Sequence, residues 1–138
     1  MKIFVAASYS SQVDYDTGEV FPEYKAWLEE QITALESFGH EVFCALRADR
    51  YRINDDDPAK AFSLDEEHIK TADGMLACIT TKPSVGVQTE IGMMIALGKP
   101  VVLARAEDEA LAYFNQAIVL AGQAKACTLP LTADPFAR

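Results

Sequence analysis

Short, continuously apolar runs alternate with longer stretches of helical periodicity along this chain. The first run, Ile3 to Ala7, has no polar position, which is typical of a strand buried on both faces of a sheet. A polar segment from Ser8 to Glu19 follows and is predicted to be a loop. Pro22 then begins a helix, which Gly39 ends. The apolar residues of that helix recur at helical spacing and are expected to face the core: Tyr24, Leu28, Ile32, Leu35 and Phe38.

The same alternation continues to the end of the chain. Further strands are predicted over Glu41–Leu46, Met75–Thr80, Pro100–Ala104 and Ala126–Leu131. The helices between them are predicted from Pro58 or Ser63 to just before Asp73, over Val87–Leu97 with Gly98 closing it, and over Glu107–Ala121. This order predicts an α/β fold with a doubly wound parallel sheet of about five strands and helices on both faces. The expected architecture is a Rossmann-like or flavodoxin-like three-layer sandwich, formed by residues 1–138 as one domain.

A binding site in such a fold is expected beyond the carboxyl ends of the strands, where the connecting loops form a crevice. Three segments should meet there. They are Ser8–Ser11 after the first strand, the loop after the second strand, and Lys82–Glu90 after the third.

Composition narrows the range of partners. The net charge of −9 disfavours a nucleic-acid polymer or an anionic membrane surface, since few cations are present to replace the counterions of either. No apolar run approaches the roughly 18 residues that a membrane-spanning helix needs. The apolar run at the N-terminus is too short for a signal peptide. A cytoplasmic protein is therefore expected.

Neither a metal nor a cofactor is predicted. The three cysteines lack metal-site spacing, and His40 and His68 are isolated in the sequence. No P-loop is present, and of the dinucleotide-binding pattern G-x-G-x-x-G only Gly86 and Gly92 are found. A tightly bound nicotinamide or flavin is therefore not expected.

The decamer PSVGVQTEIG, residues 83–92, contains the most suggestive polar side chains. If a helix begins near Val87, then Glu90 lies in its first turn, where the helix dipole favours an ionised carboxylate. Such a carboxylate can attack an anomeric carbon, yet acidic residues are also common in first turns as simple helix stabilisers. Ser84 and Gly86 precede backbone N–H groups that can hold an anion, but an ordinary turn with Ser84 as its cap explains them equally well.

A longer segment, IKTADGMLACITTKPSVGVQTEIGMMIALGKPVVL (Ile69–Leu103), resembles the nucleoside 2-deoxyribosyltransferase-like family. Within that family it is most similar to the 2′-deoxynucleoside 5′-phosphate N-hydrolases. The resemblance implies that Glu90 is the nucleophile that attacks the sugar, and that Ser84 contacts the substrate phosphate. It also implies that Asp65, which by itself looks like part of a solvated helix face, serves in the chemistry or in sugar binding. A homodimer or larger homo-oligomer is implied as well, with the helix Ala110–Ala121 as one candidate contact.

The loop after the first strand departs from the N-hydrolase pattern. Those enzymes have a loop with glycine and arginine that grips the phosphate, whereas this loop offers Ser8, Tyr9 and Ser10 and has no arginine. Phe4 stands where the family has a tyrosine. Serine hydroxyls and backbone N–H groups can bind a phosphate, but more weakly than a charged group does.

The expected function is therefore cleavage or exchange of the N-glycosidic bond of a (deoxy)nucleoside or nucleoside 5′-monophosphate through a glutamate nucleophile. The small-molecule substrate would be bound by Ser84, Gly86, Ser8, Tyr9 and Ser10, and Glu90 and Asp65 would be catalytic. A non-catalytic nucleotide-binding or sensing module on the same fold is the alternative, and a flavodoxin-like signalling or redox domain is a third. The sequence leaves open which base is preferred, which sugar is used, whether the substrate carries a phosphate, and whether the reaction is hydrolysis or transfer.

Overall fold

The computed structural model describes residues 1–53, 57–80, 82, 84–106 and 110–137. In this part of the chain the strands are β1 (Lys2–Ala6), β2 (Val13–Asp14), β3 (Glu19–Val20), β4 (Glu41–Cys44), β5 (Gly74–Ile79), β6 (Val101–Ala106) and β7 (Lys125–Leu129). The α-helices are α1 (Pro22–Ser37), α2 (Ala45–Ala48), α3 (Pro58–Thr71), α4 (Val85–Ala96) and α5 (Tyr113–Leu120). None of the helices in these residues is both long enough and apolar enough to span a bilayer.

Five parallel strands form one sheet in the order β4-β1-β5-β6-β7. Helix α1 packs on one face of this sheet through residues such as Leu28 and Ile32. Helices α3 and α4 pack on the other face through Ile69, Ile91 and Met94, and α5 adds partly buried side chains there. The predicted fold class, a doubly wound parallel sheet in a three-layer sandwich, is confirmed.

The strand order determines where the expected crevice lies. The chain passes from β1 to β4 in one direction and then returns across β1 to β5, so the order reverses beside β1. Right-handed crossovers send α1 to one face and the later helices to the other. Loops that leave the carboxyl ends of strands at such a reversal diverge, and the space between them is where ligands bind.

Several predicted bounds of strands, loops and helices are wrong. The second sheet strand ends at Cys44, because the chain turns at once into the short helix α2. The predicted loop from Ser8 to Glu19 contains the antiparallel pair β2–β3, with Gly18 in the left-handed region at φ 75°. For the helix predicted over Glu107–Ala121, residues 107–109 lie outside the described residues, and the helix itself covers only Tyr113–Leu120.

Candidate active site

A cavity of about 580 Å³ lies beyond the carboxyl ends of β1 and β4, where α3 and α4 approach the sheet. The loop after β1 contributes Tyr9 and Ser10 to its wall, and α2 and the residue that follows it contribute Leu46 and Asp49. All three segments predicted for the crevice thus help to line it, since Ser84 and the first turns of α4 form another side.

Glu90 lines this cavity from the second turn of α4, because the helix begins at Val85 rather than near Val87. The first turn of α4 contains no acidic residue. Burial, followed by the negative charge of Asp65, raises the pKa of Glu90 to about 8. The expectation that the helix dipole keeps this carboxyl ionised is therefore wrong, since removal from water outweighs a dipole whose effect is confined to the first turn.

Asp65 lines the same cavity from α3 and is partly buried, so its interpretation as part of a solvated helix face is wrong. Burial, and then the charge of Asp49, raise its pKa, while His68 on the next turn of α3 lowers it. The His68 ring stacks on Phe43, with the ring centroids 3.5 Å apart and an angle of 7° between the planes. That contact holds the imidazole beside α3, close to Asp65.

Asp49 is a third carboxylate in the wall of the cavity, although the sequence analysis does not single it out. It follows the last residue of α2 and is partly buried. Its sequence position could have marked it as a site residue. Asp49 lies five residues after the end of β4, in the segment that was expected in the crevice. Among the described residues, no three His, Cys, Asp or Glu side chains are grouped as the ligands of one metal ion would be.

Ser84 is the N-cap of α4, as the ordinary interpretation of the turn predicts. Its hydroxyl oxygen accepts a hydrogen bond from the backbone N–H of Val87 at 3.3 Å. A serine hydroxyl also has one proton to donate, so the cap leaves a donor for a ligand in the cavity that Ser84 lines. Gly86 lines the cavity as well, and a Cβ atom at this position would lie 3.9 Å from the Ser84 hydroxyl, which is an ordinary contact.

Ser8 does not line the cavity that holds the carboxylates. Its side chain is buried, and its hydroxyl pairs with that of Thr80 at 3.1 Å, which ties the loop after β1 to the end of β5. Ser8 instead lines a second cavity, of about 460 Å³, together with Lys82 and Asn115. The two cavities share Ser84 and Val87.

The rest of the first cavity is largely apolar. Its aromatic and aliphatic lining residues are Phe4, Phe43, Phe62, Leu64 and Met93. Small-molecule sites usually combine apolar walls of this kind with a few polar groups that fix the orientation of the ligand. The arrangement suits a ligand with one flat, apolar part and one hydroxylated part that meets the carboxylates.

Comparison with known proteins identifies the fold more closely. A CMP N-glycosidase, BcmB of Clostridium botulinum, superposes with a TM-score of 0.68 at 25% sequence identity, over 95% of this chain and 90% of that one. A 2-deoxyribosyltransferase of Bacillus psychrosaccharolyticus superposes with a TM-score of 0.65 at 24% identity, over 83% and 79%. The protein BlsM gives a TM-score of 0.73 at 20% identity, over 94% and 81%. The last two comparisons show similarity of fold only.

No curated protein matches the chain in sequence. The family model described as nucleoside 2-deoxyribosyltransferase, however, matches residues 17–127, which is more than half of the 138 residues. That range includes Asp49, Asp65, Ser84 and Glu90, and the resemblance seen in Ile69–Leu103 is thereby confirmed. The chain belongs to the nucleoside 2-deoxyribosyltransferase family.

Proposed function

We propose that this protein cleaves or exchanges the N-glycosidic bond of a nucleoside or nucleoside 5′-monophosphate, with Glu90 as the nucleophile and Asp65 as its acid–base partner. One observation carries the proposal. Glu90 and Asp65 come from two different helices and line one cavity, and the charge of Asp65 is among the causes that raise the pKa of Glu90. The two carboxyl groups are therefore close enough for the charge of one to affect the protonation of the other.

The chemistry follows from this pairing. A carboxylate oxygen of Glu90 would form a bond to the anomeric carbon of the sugar while the bond from that carbon to the base nitrogen breaks. The electron pair of the broken bond goes to the base, which takes a proton from the acid. Water or a second base then attacks the same carbon, gives up a proton to the Asp65 carboxylate and releases Glu90 as a carboxylate, which gives hydrolysis or transfer.

One proton on this pair of carboxyl groups would supply both catalytic forms. In the free protein Glu90 is largely protonated near neutral pH, since its pKa lies at about 8. Movement of this proton from Glu90 to Asp65 creates the ionised nucleophile and the protonated acid in one step. The raised pKa of Asp65 suits it to accept the proton and to pass it on to the departing base. Ser84 and Tyr9, which line the same cavity, would hold the sugar.

A test is to incubate the purified protein with ribo- and deoxyribonucleosides and their 5′-monophosphates and to measure released base by chromatography. A second free base added to the mixture distinguishes exchange from hydrolysis. Glu90→Gln is expected to lower the rate by at least about a thousandfold, because it removes the nucleophile and keeps the shape. Glu67→Gln is the matched control, since Glu67 lies on the exposed side of α3 and does not line the cavity.

The proposal fails if no member of the panel loses its base. Base release that persists in Glu90→Gln would refute only the role of Glu90 and not the proposed activity. Stabilisation of the protein by a nucleotide without any turnover would favour the non-catalytic binding module on the same fold.

A further inference from the structure

Tyr51 has an unusual backbone conformation for a tyrosine. Its φ of 58°, like the φ of 57° at Arg50, lies in the left-handed region that glycine usually occupies. A non-glycine residue stays in this region only where its contacts outweigh the strain, and such residues cluster near functional sites. Tyr51 is buried and lies two residues after Asp49, which together with Leu46 forms one wall of the catalytic cavity, here called the α2 wall. The contacts of Tyr51 therefore indicate what this conformation preserves.

The backbone of Tyr51 joins α2 to the hairpin β2–β3. Its N–H donates a hydrogen bond to the carbonyl oxygen of Leu46 at 2.8 Å, just beyond the end of α2. Its carbonyl oxygen accepts the N–H of Val20, in β3, at 2.9 Å. The N–H of Ile53 donates to the carbonyl oxygen of Gly18 at 2.7 Å, so that residues 51–53 lie along β3 as a third extended segment. Tyr51 thus connects the α2 wall to the hairpin directly.

The hairpin is in turn tied to the loop after β1. This loop contributes Tyr9 and Ser10 to the cavity, and these two residues are here called the β1-loop wall. The Tyr15 hydroxyl donates a hydrogen bond to the carbonyl oxygen of Ser10 at 3.0 Å. The N–H of Phe21, directly after β3, donates to the carbonyl oxygen of Gln12 at 2.9 Å. A shift of the hairpin relative to α2 would therefore change the separation of the two walls.

The side chain of Tyr51 anchors this junction to α1. Its hydroxyl donates a hydrogen bond to the Glu29 carboxylate, and the Lys25 ammonium group lies 5.0 Å from the centre of its ring. Burial, followed by the Glu29 carboxylate, raises the pKa of Tyr51, so the hydroxyl keeps the proton that it donates. Hydrogen bonds to a charged group are roughly twice as strong as those between neutral groups. The side chain thus fixes the junction to a helix that packs against the sheet.

The proposed catalytic carboxyl groups belong to a different part of the fold. Asp65 and Glu90 lie on α3 and α4, which pack on the face of the sheet opposite to α1. Tyr51 lies behind the α2 wall and does not itself line the cavity. A displacement at Tyr51 would therefore alter the walls around the ligand and leave the two helices with the carboxyl groups in place.

Resting on the proposed function, we propose that Tyr51 is a positioning residue, which holds the α2 wall and the β1-loop wall at the separation that the nucleoside or nucleotide requires. It acts through the hydrogen bond of its hydroxyl to Glu29 and through its backbone bonds to α2 and β3. Loss of the hydroxyl should weaken binding of the ligand and leave the chemical step nearly unchanged, because the reacting groups are on other helices.

The test is steady-state kinetics on Tyr51→Phe and Glu29→Ala, each of which removes one partner of the hydrogen bond. KM is expected to rise at least about threefold in both, while kcat stays within about twofold. Glu29→Gln keeps an acceptor oxygen for the Tyr51 hydroxyl and should have nearly the KM of the wild type. The double variant should be no worse than the more impaired single variant, because both changes break the same bond. Glu30→Ala, on the exposed side of α1, is the matched control and should change neither constant.

A purely structural role for Tyr51 would give a different pattern. All assays are run at a temperature at which every variant is folded, so a structural role would lower the unfolding temperature and leave KM unchanged, which would overturn the inference. A fall in kcat as large as the rise in KM would also overturn it, as would a Glu29→Gln variant that is as impaired as Glu29→Ala. If Tyr51→Phe folds poorly, Glu29→Ala decides between these outcomes.

Equilibrium binding separates this inference from the proposed function. If no nucleoside or monophosphate loses its base, the proposed function fails, and the dissociation constants of the same compounds for the wild type and for Tyr51→Phe then test Tyr51 by itself. The affinity of the variant is expected to be lower by at least about threefold. Equal affinities, or no binding to either protein, would overturn the role of Tyr51.

Discussion

The raised pKa of Glu90 should be visible as a pH-dependent loss of stability that Glu90→Gln removes. Below the ordinary value of 4.5 the carboxyl is protonated in both the folded and the unfolded chain. Between 4.5 and about 8 the unfolded chain has released this proton and the folded protein has not. The free energy of unfolding therefore falls by about 1.4 kcal/mol for each pH unit across this window, because folding must then take up a proton.

The magnitude can be worked out for a practical range. From pH 5.5 to pH 7.5 the contribution of Glu90 amounts to about 2.5 kcal/mol of lost stability, slightly less than the full slope because titration is incomplete at both ends. Glutamine imitates the protonated carboxyl and does not titrate, so Glu90→Gln lacks this loss. The difference in the free energy of unfolding between the variant and the wild type should thus grow by about 2.5 kcal/mol in favour of the variant. Groups far from Glu90 titrate alike in both proteins and cancel in the difference.

Urea unfolding gives this difference directly. Trp27, the single tryptophan, stacks on Tyr24 with ring centroids 5.6 Å apart, so its fluorescence should report the loss of packing on α1. Measurements at pH 5.5, 6.5 and 7.5 on the wild type, Glu90→Gln and the surface control Glu67→Gln suffice. A difference between wild type and Glu90→Gln that stays constant within about 0.5 kcal/mol over this range would show that Glu90 is ionised in the folded protein, against the reasoning from burial.

Three further predictions concern single side chains. Asp65→Asn removes one of the causes of the raised Glu90 pKa, so the loss of stability between pH 5.5 and pH 7.5 should be smaller than in the wild type, and the loss of the acid should lower kcat by about a hundredfold or more. Ser84→Ala should lower the free energy of unfolding in urea by about 1 kcal/mol, because the N–H at the start of α4 loses its acceptor. Gly92→Ala should raise the free energy of unfolding by about 0.5–1 kcal/mol, since Gly92 is an exposed helical position where a Cβ atom meets nothing within 4 Å. An unchanged or lower value would show that the position has a packing partner, such as a second copy of the chain.

The order of elements could be predicted because the sheet is buried on both faces. Residues 74–79 of β5 are all buried, and a strand in that environment has no polar position to interrupt its apolar run. The hairpin β2–β3 could not be recognised, because each of its strands contains only two residues and offers no alternation. The start of α4 was placed two residues late because Gly86 looks like a turn residue, although Ser84 directly before Val85 is a standard N-cap signal.

The composition of the site was harder to predict than its location. Ser84 and Glu90 are six residues apart in one helix and its cap, so local sequence brings them together. Asp49 and Asp65 reach the same cavity only through the folding of the chain around β1, which no local pattern encodes. The protonation of Glu90 depends on burial by neighbours that are distant in sequence, and so position within the helix predicted the wrong charge state.

The most direct test of Glu90 as the nucleophile is to search for a glycosyl group bound to it. The protein is incubated with a nucleoside that releases its base, quenched in acid, and analysed by intact-mass and peptide mass spectrometry. We expect an added mass equal to one glycosyl group, located on the peptide that contains Glu90 and absent from Glu90→Gln. Base release without any such adduct, even with a 2-fluoro sugar that slows its breakdown, would mean that water attacks the anomeric carbon directly and would contradict the role of Glu90 as the nucleophile.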